Sequence, residues 1–589
     1  MSARTGQNKG IAITGCGIVS AIGIGKEATS EALRASRSGI AAPKHLATVH
    51  KELPVGEVDL SNSRMKELIG IPEDKNISRT VLLGIIAAAE ALKEAGLAKG
   101  LPGKRIALVS GTTVGGMDMT EQFYTKGDTV SPEYAECLKY HDCGGCTAGI
   151  ATHFGIFSFY TTVSTACSSA ANAMAVGADL IKTGRADVVL AGGTEALSKF
   201  HLNGFNSLMI LDGQPCRPFD DTRAGLNLGE GAAYVVLESA ETAEARGASP
   251  RAWLTGYGIS CDAFHQTASS EDGEGAFLAM RDALEMASIG PQDIDYINAH
   301  GTGTQNNDSS ESAAVIRLFG ADAYPPVSST KSLTGHTTSA SGAIEAVICL
   351  LAMEGGFIPA NHGWKNPMPG GIIPSAGATG CNLQHVMCNS FGFGGNDTSL
   401  IISAIPNAPE PLENYQAEVL SQDEISDASG LQALGEYIKP MEARRMDKLM
   451  RGAMLVSLRA LEKAGIEKPD AIIAGTSLGS LESSMLLLDQ MLEEGEATLK
   501  PTLFMQSTHN TMAGSLAIKL GCHGCNLTFS QRQESLFWAD EYARLLIRTG
   551  RCKTVLVGCF DTCTERYCKA MNVDLPALHV IARVLGRKE

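Results

Sequence analysis

The chain has 589 residues, of which 44% are hydrophobic and 19% charged, so it can form several domain-sized units and is neither disordered nor fibrous. A formal net charge of −16 argues against a general nucleic-acid binder, and no run of about 18 uncharged apolar residues reads as a membrane span. The opening MSARTGQNKG runs into IAITGCGIVS, whose glycines break any apolar signal core; with sixteen Cys and no exported context, reduced thiols and a cytoplasmic location are expected.

In chain order, IAITGCGIVS, RIALVSGT from Arg105, VVLAGG from Val188 and AAYVVLE from Ala232 read as buried strands. TVLLGIIAAAEALKEAGL from Thr80 and ANAMAVGADLIKTG from Ala171 read as helices, with small and apolar residues on a helical period. Such alternation predicts an α/β protein with a mainly parallel, helix-covered sheet. Near residue 404 the texture changes: IPNAPEPLENYQAEVLSQDEISDASG carries three Pro and many acids and reads as a linker over 406–430. The expected units are therefore 1–405, in two halves of about 1–250 and 251–405, and 431–589. In the last unit Lys439, Arg444, Arg445, Lys448 and Arg451 form a basic cluster, readable as a solvated helix face or as a dock for an acidic partner.

Beyond the linker the chain repeats itself. TVLLGIIAAAEALKEAG followed by GTTVGG from Gly111 is matched by LMRGAMLVSLRALEKAG followed by IIAGTSLGS, with Gly475 in the same place. ADLIKTGRADVVLAGG, with Gly184 and Arg185, is matched by ARLLIRTGRCKTVLVGC, with Gly550 and Arg551, an offset of 366 residues. The second copy stops soon afterwards and is half a copy.

Four stretches of the first unit carry chemistry. In VSTACSSAANAMAVGADL, Cys167 sits where a strand gives way to an Ala-rich helix, whose free N–H groups and positive end would lower a thiol's pKa; alone, the stretch equally suits a buried structural Cys. INAHGTGTQNNDSSE offers His300, VSSTKSLTGHTTSASGAIEAV offers Lys331 and His336, and CNSFGFGGNDTSLII is a glycine-rich loop without dinucleotide-site spacing.

Taken in this order, TACSS, AHGTGT, KSLTGH and NSFGFGG resemble the motif series of the β-ketoacyl-acyl-carrier-protein synthases, and RPFDDTRAGLNLGEGA from Arg217 resembles them too. The resemblance covers essentially residues 10–405. It implies the thiolase fold: two similar five-stranded α/β halves in an α-β-α-β-α layered structure, normally dimeric. It implies that Cys167 takes an acyl group from a carrier-protein phosphopantetheine arm, and that His300 and His336 donate to the malonyl thioester oxygen. It further implies that the Cys167 and Phe393 N–H groups form an oxyanion hole, that Lys331 pairs with Glu311, that Thr302 and Thr304 touch pantetheine, and that Phe393, next to Gly392, gates the site. At Leu226 the family commonly has Phe; the smaller side chain leaves room for a longer or stiffer acyl chain, or is a neutral packing swap.

The offset places Gln533 opposite Cys167, and the chain ends before any counterpart of His300, Lys331 or His336. The second unit thus resembles a shortened chain-length factor of the aryl polyene, flexirubin and dialkylresorcinol type. The expected function is decarboxylative Claisen condensation on acyl- and malonyl-loaded acyl carrier protein. Neither nucleic acid nor membrane, and no cofactor, is expected as partner; the fused units form an internal pseudo-dimer, with further oligomerisation left open. A fatty-acid elongation synthase with a degenerate tail and a non-catalytic carrier-binding scaffold are the alternatives. Two CxxC pairs, Cys143/Cys146 and Cys522/Cys525, lack matching second pairs, so no metal is expected.

Overall fold

The computed structural model describes residues 10–125, 131–407, 413–496 and 499–588. Its main sheet has sixteen strands, fifteen of them on one path and the sixteenth, Gly23–Ile24, folded back on the first. The fifteen fall into three sets of five. The first is β1 Ile11–Ser20, β2 Ile106–Gly111, β3 Phe159–Val163, β4 Val188–Glu195 and β5 Gly231–Ser239. The second is β6 Ala252–Cys261, β7 Tyr296–Asn298, β8 Val327–Ser328, β9 His385–Gly392 and β10 Asn396–Ser403. The third is β11 Ala417–Ile425, β12 Ala471–Gly475, β13 Asn526–Phe529, β14 Thr554–Thr562 and β15 Leu578–Arg587.

Each set has one spatial order, third-second-fourth-fifth-first, with the first three of that series parallel and the rest antiparallel. The first two sets join where Ile11–Ile13 of β1 pair with Ala252–Leu254 of β6. The first and third join at β3 and β13 about an approximate twofold: Phe529 faces Val163, Ser164 N–H donates to Thr528 O at 2.8 Å, and Ser530 N–H donates to Thr162 O at 2.9 Å. Both reciprocal bonds keep the offset of 366.

Helix composition follows layer position. α1 Arg79–Glu94 packs on the first set, α2 Cys143–Phe154 beside β3, and α3 Ser169–Lys182 behind Cys167. α4 Glu274–Ala287 and α5 Gln305–Phe319 belong to the second set, as does α6 Ser341–Gly355. α3 and α6 form the central layer and are buried over almost their whole length, so small and apolar residues occupy most positions all round, with buried polar groups such as Asp179 and Glu345 among them. Thr338–Gly355, ending in α6, is long and apolar enough to cross a membrane, yet 83% of it is buried in this core.

In the third set, α7 Lys448–Ala464 covers one face and α11 Ser535–Arg548 takes the place of α3. Among the described residues no second sheet covers α11, and the helix is amphipathic: Trp538, Tyr542 and Leu546 are buried, and Phe537 and Arg548 are exposed. α8 Leu481–Glu494, α9 Pro501–Ser507 and α10 Thr511–Leu520 face the first unit.

One boundary is corrected. The segment expected as a linker over 406–430 contains β11, paired along its length with β15 from Ala417 opposite Arg587 to Ile425 opposite Val580. The third unit therefore starts near residue 417 rather than 431. β11 is the outer edge strand, so Glu418, Asp423 and Glu424 are tolerated there and guard the edge, which made it read as linker. Residues 408–412 lie outside the described residues.

Candidate active site

β3 ends at Val163 and the chain turns through a 3₁₀ turn, Ala166–Ser168, into α3. Ala166 has φ 51°, a left-handed conformation that a non-glycine residue adopts at a cost, and it points Cys167 into the interior. Ser169 locks the turn: its Oγ accepts from Thr165 N–H at 2.9 Å and donates to Ala166 O at 2.6 Å. The sulfur lies 3.1 Å from His336 Nε2. The His336 and His300 rings meet edge to face with centroids 5.3 Å apart. One ligand-type atom from each of Cys167, His300 and His336 lies within 4.8 Å of the others, and all three residues are buried.

Burial dominates the electrostatics. It pushes the Cys167 thiol up to about 12, against the Lys331 charge and the N–H groups of Phe393 and Cys167 itself, which pull it down. The helix-terminus expectation of a lowered thiol pKa is thus corrected: desolvation outweighs the dipole. His300 and His336 are held well below the usual imidazole range, by burial first and the Lys331 charge second, so both rings are neutral at neutral pH. Ser341 Oγ sits 3.0 Å from His336 Nδ1; in the tautomer where this hydroxyl donates to Nδ1, Nε2 carries the proton on the sulfur side.

Lys331 does not pair with Glu311. Its Nζ donates to Glu345 Oε1 at 2.5 Å and to His300 O at 2.6 Å, with both side chains 1–2% exposed. Glu311 instead accepts the backbone N–H groups of His300 at 2.8 Å and Gly301 at 2.7 Å, bracing the loop that carries His300. Both carboxyls are raised to about 7 by burial. Sequence reasoning missed Glu345, although a lone acid within the apolar run SGAIEAVICLLA of α6 was a signal.

The remaining predicted residues lie around this centre. Thr302 and Thr304 have their hydroxyls 2.9 Å apart, Thr302 buried and Thr304 half-buried. A Cβ on Gly392 would stand 2.9 Å from Thr165 O and 3.2 Å from Cys167 N, so only glycine fits beside the Cys167 turn. Phe393 stacks on Phe205 with centroids 5.6 Å apart and planes at 18°. Phe205 meets Phe504 of the third unit at 5.3 Å, and Phe504 meets Phe200 at 6.0 Å. Leu226 is buried in the same apolar cluster, with Leu481, Met485 and Leu488 of α8. Nearby, Thr113, Met117 and Phe200 with Leu478, Ser507 and His509 line a cavity of about 30 Å³ between the units, room for water only.

Gln533 occupies the turn equivalent to that of Cys167: Arg532 has φ 48° as Ala166 has 51°, and Ser535 Oγ accepts from Gln531 N–H at 2.9 Å as Ser169 does from Thr165. Gln533 is exposed. The CxxC sulfurs part company. Cys143 meets His509 Nδ1 at 3.6 Å, Cys146 bonds Tyr140 O at 3.3 Å, and Cys522 bonds Pro469 O at 3.2 Å. Cys167 with the two imidazoles is a donor set a metal ion accepts, but the adjacent Lys331 ammonium opposes a cation there.

A thiol in a strained strand-to-helix turn, faced by two neutral imidazoles and two backbone N–H groups, defines an acyl-transferring condensing enzyme on a thiolase-like fold. The model of the β-ketoacyl synthase N-terminal domain matches residues 8–243 and 402–571, and that of the C-terminal domain matches 251–365. The chain belongs to the β-ketoacyl synthase family, with its N-terminal domain present a second time. It is 34% identical over 411 residues to 3-oxoacyl-[acyl-carrier-protein] synthase 2 of Staphylococcus aureus, covering 67% of this chain and 98% of that one. Among solved structures it is similar to the ishigamide ketosynthase/chain length factor, with 32% identity, TM-score 0.62, 67% of this chain and 99% of that chain covered. The keto synthase–chain length factor of PfaC, at 16% identity, matches the fold over 98% of this chain and 78% of that one with a TM-score of 0.82.

Proposed function

We propose that residues 10–407 catalyse decarboxylative Claisen condensation through Cys167, with the third unit bounding the acyl site. The carrying observation is the Cys167 Sγ–His336 Nε2 distance of 3.1 Å beside a second neutral imidazole. Cys167 sulfur attacks the thioester of an acyl-loaded carrier protein; the acyl group moves to sulfur and the carrier thiol leaves with the proton. Malonyl carrier protein then loses carbon dioxide, and the electron pair of the broken bond forms an enolate, whose oxygen accepts N–H donation from His300 and His336. The enolate carbon attacks the Cys167 thioester, whose developing oxyanion is held by the Cys167 and Phe393 N–H groups. The tetrahedral adduct collapses, the Cys167 sulfur leaves and takes up a proton from solvent, and the β-ketoacyl carrier protein is released. Loss of carbon dioxide drives the bond formation, so the reaction needs no metal or redox cofactor. Thr302 and the half-buried Thr304 follow His300 in the same loop, and their paired hydroxyls support reading them as contacts of the pantetheine arm. Cys167→Ala is expected to abolish both acyl-enzyme, read by intact-protein mass spectrometry, and condensation; full condensation by that variant would overturn the proposal.

The aromatic series Phe393–Phe205–Phe504 supports reading the third unit as a chain-length factor, because it leads from the nucleophile to a side chain that only this unit supplies. The sequence resemblance to aryl polyene systems supports unsaturated or aryl-enoyl acyl chains as substrates. Reconstitution with matched saturated and polyenoyl carrier proteins tests this, and a preference for saturated chains would favour fatty-acid elongation instead.

A further inference from the structure

We infer that Asn510, a residue of the third unit, completes the active site of the first by fixing the loop that aims the Phe393 N–H at Cys167. The inference rests on Cys167 being the acyl-accepting nucleophile. Asn510 ends the turn before α10 and is 1% exposed. Its Nδ2 donates to Phe393 O at 2.7 Å and to Asn396 Oδ1 at 2.6 Å. Asn396 Nδ2 in turn donates to Asn526 O at 2.8 Å, and Asn526 Nδ2 donates to Ala513 O at 3.0 Å, so the amide series crosses between the units twice. Both ends of the loop 393–395 are thereby tied to the third unit, and the loop abuts the Cys167 turn: a Cβ on the adjoining Gly392 would stand 3.2 Å from Cys167 N, and the Phe393 N–H pulls the Cys167 thiol down against burial. Gly514 on α10 lies under the same loop, where an added Cβ would stand 2.8 Å from Gly394 O.

The duplication supplies the second line of argument. At the start of α2, the equivalent helix of the first unit, the chain carries Gly144 and Gly145. They lie against Ser530, Gln531 and Arg532, around the exposed turn of Gln533. Among the described residues, no counterpart of the 393–396 loop lies on that side. An amide reaches across the approximate twofold only where there is a loop to hold. Asn510 touches neither the reacting atoms nor the pantetheine path; it is a positioning residue.

The test is Asn510→Ala in the full chain, compared with Arg185→Ala, which removes the Arg185–Glu541 ion pair at the same interface. Expected for Asn510→Ala are a ten- to hundredfold fall in kcat for condensation, with KM for malonyl carrier protein within about twofold. Alkylation of Cys167 by iodoacetamide at pH 9 should slow about threefold, because the thiolate loses a well-aimed N–H donor. Arg185→Ala should leave both readouts at the wild-type level. Wild-type kcat and alkylation in Asn510→Ala, or the same losses in Arg185→Ala, would overturn the assignment. If Asn510→Ala does not fold, Gly514→Ala carries the test: it displaces the loop with the amide intact, and wild-type behaviour there overturns the inference equally. Condensation surviving in Cys167→Ala would sink the nucleophile reading itself, whereas an inert Asn510→Ala beside a dead Cys167→Ala sinks only this one.

Discussion

The ring of Phe504 fills the space that a side chain at Gly204 would need: a Cβ there would stand 2.2 Å from the ring. One unit supplies the gap and the other the plug, and Phe504 lies two aromatic contacts, through Phe205, from Phe393 of the 393–395 loop. Phe504→Ala is therefore expected to open the site toward α8 and shift products to longer chains, read by mass spectrometry of carrier-bound products. Removing a buried ring also costs about 3–5 kcal/mol of stability. An unchanged product distribution from folded Phe504→Ala would count against the third unit as a length determinant.

The Lys331–Glu345 pair makes a ranking prediction. Removing Glu345 leaves the Lys331 ammonium buried with one carbonyl, so Glu345→Ala should destabilise by about 3–5 kcal/mol. Glu311→Gln keeps one carbonyl oxygen for the two loop N–H groups and should cost about 1–3 kcal/mol. Shifts of the first urea transition measure both, and the reverse order would restore Glu311 as the lysine's partner.

The Cys167 thiol, raised to about 12 by burial, is protonated in the resting enzyme at neutral pH. Only the thiolate alkylates, so the iodoacetamide rate should rise about tenfold per pH unit from pH 7 to 10 without a plateau. The urea-unfolded chain should level off near pH 9, where an ordinary thiol titrates. A plateau near pH 7 in the folded protein would mean that the N–H groups and Lys331 outweigh desolvation.

What the sequence made legible was set by local pattern. The strand-to-helix turn at Cys167, the loops of His300 and His336 and the offset of 366 are contiguous signatures, and matching left-handed angles at Ala166 and Arg532 show the register held to the residue. What it hid depends on contacts between distant segments. Glu311 and Glu345 are both acids near Lys331, and only the packing of α6 decides between them. β11 carries the polar pattern of an exposed edge and so looked like linker. The partners of Asn510 lie in another unit, so its role is visible only across the approximate twofold.

A chain ended at residue 407 tests the architecture as a whole. It would bare the β3 edge, leaving Thr162 O and Ser164 N–H without partners, and would uncover Phe159, which stacks on Trp538 at 5.5 Å. Such an edge recruits another strand. Because the third unit repeats the strand order of the first, a second truncated copy offers the same edge, and a β3-to-β3 dimer is the expected product, alongside aggregate. In that dimer Gly144 and Gly145 stand where Asn510 stood, so the 393–396 loop loses its tether even though the sheet is restored. Light scattering should find no stable monomer, and condensation by the dimer should fall about tenfold or more below the full chain. A monomeric, fully active truncated protein would show that neither the edge nor the amide needs the third unit.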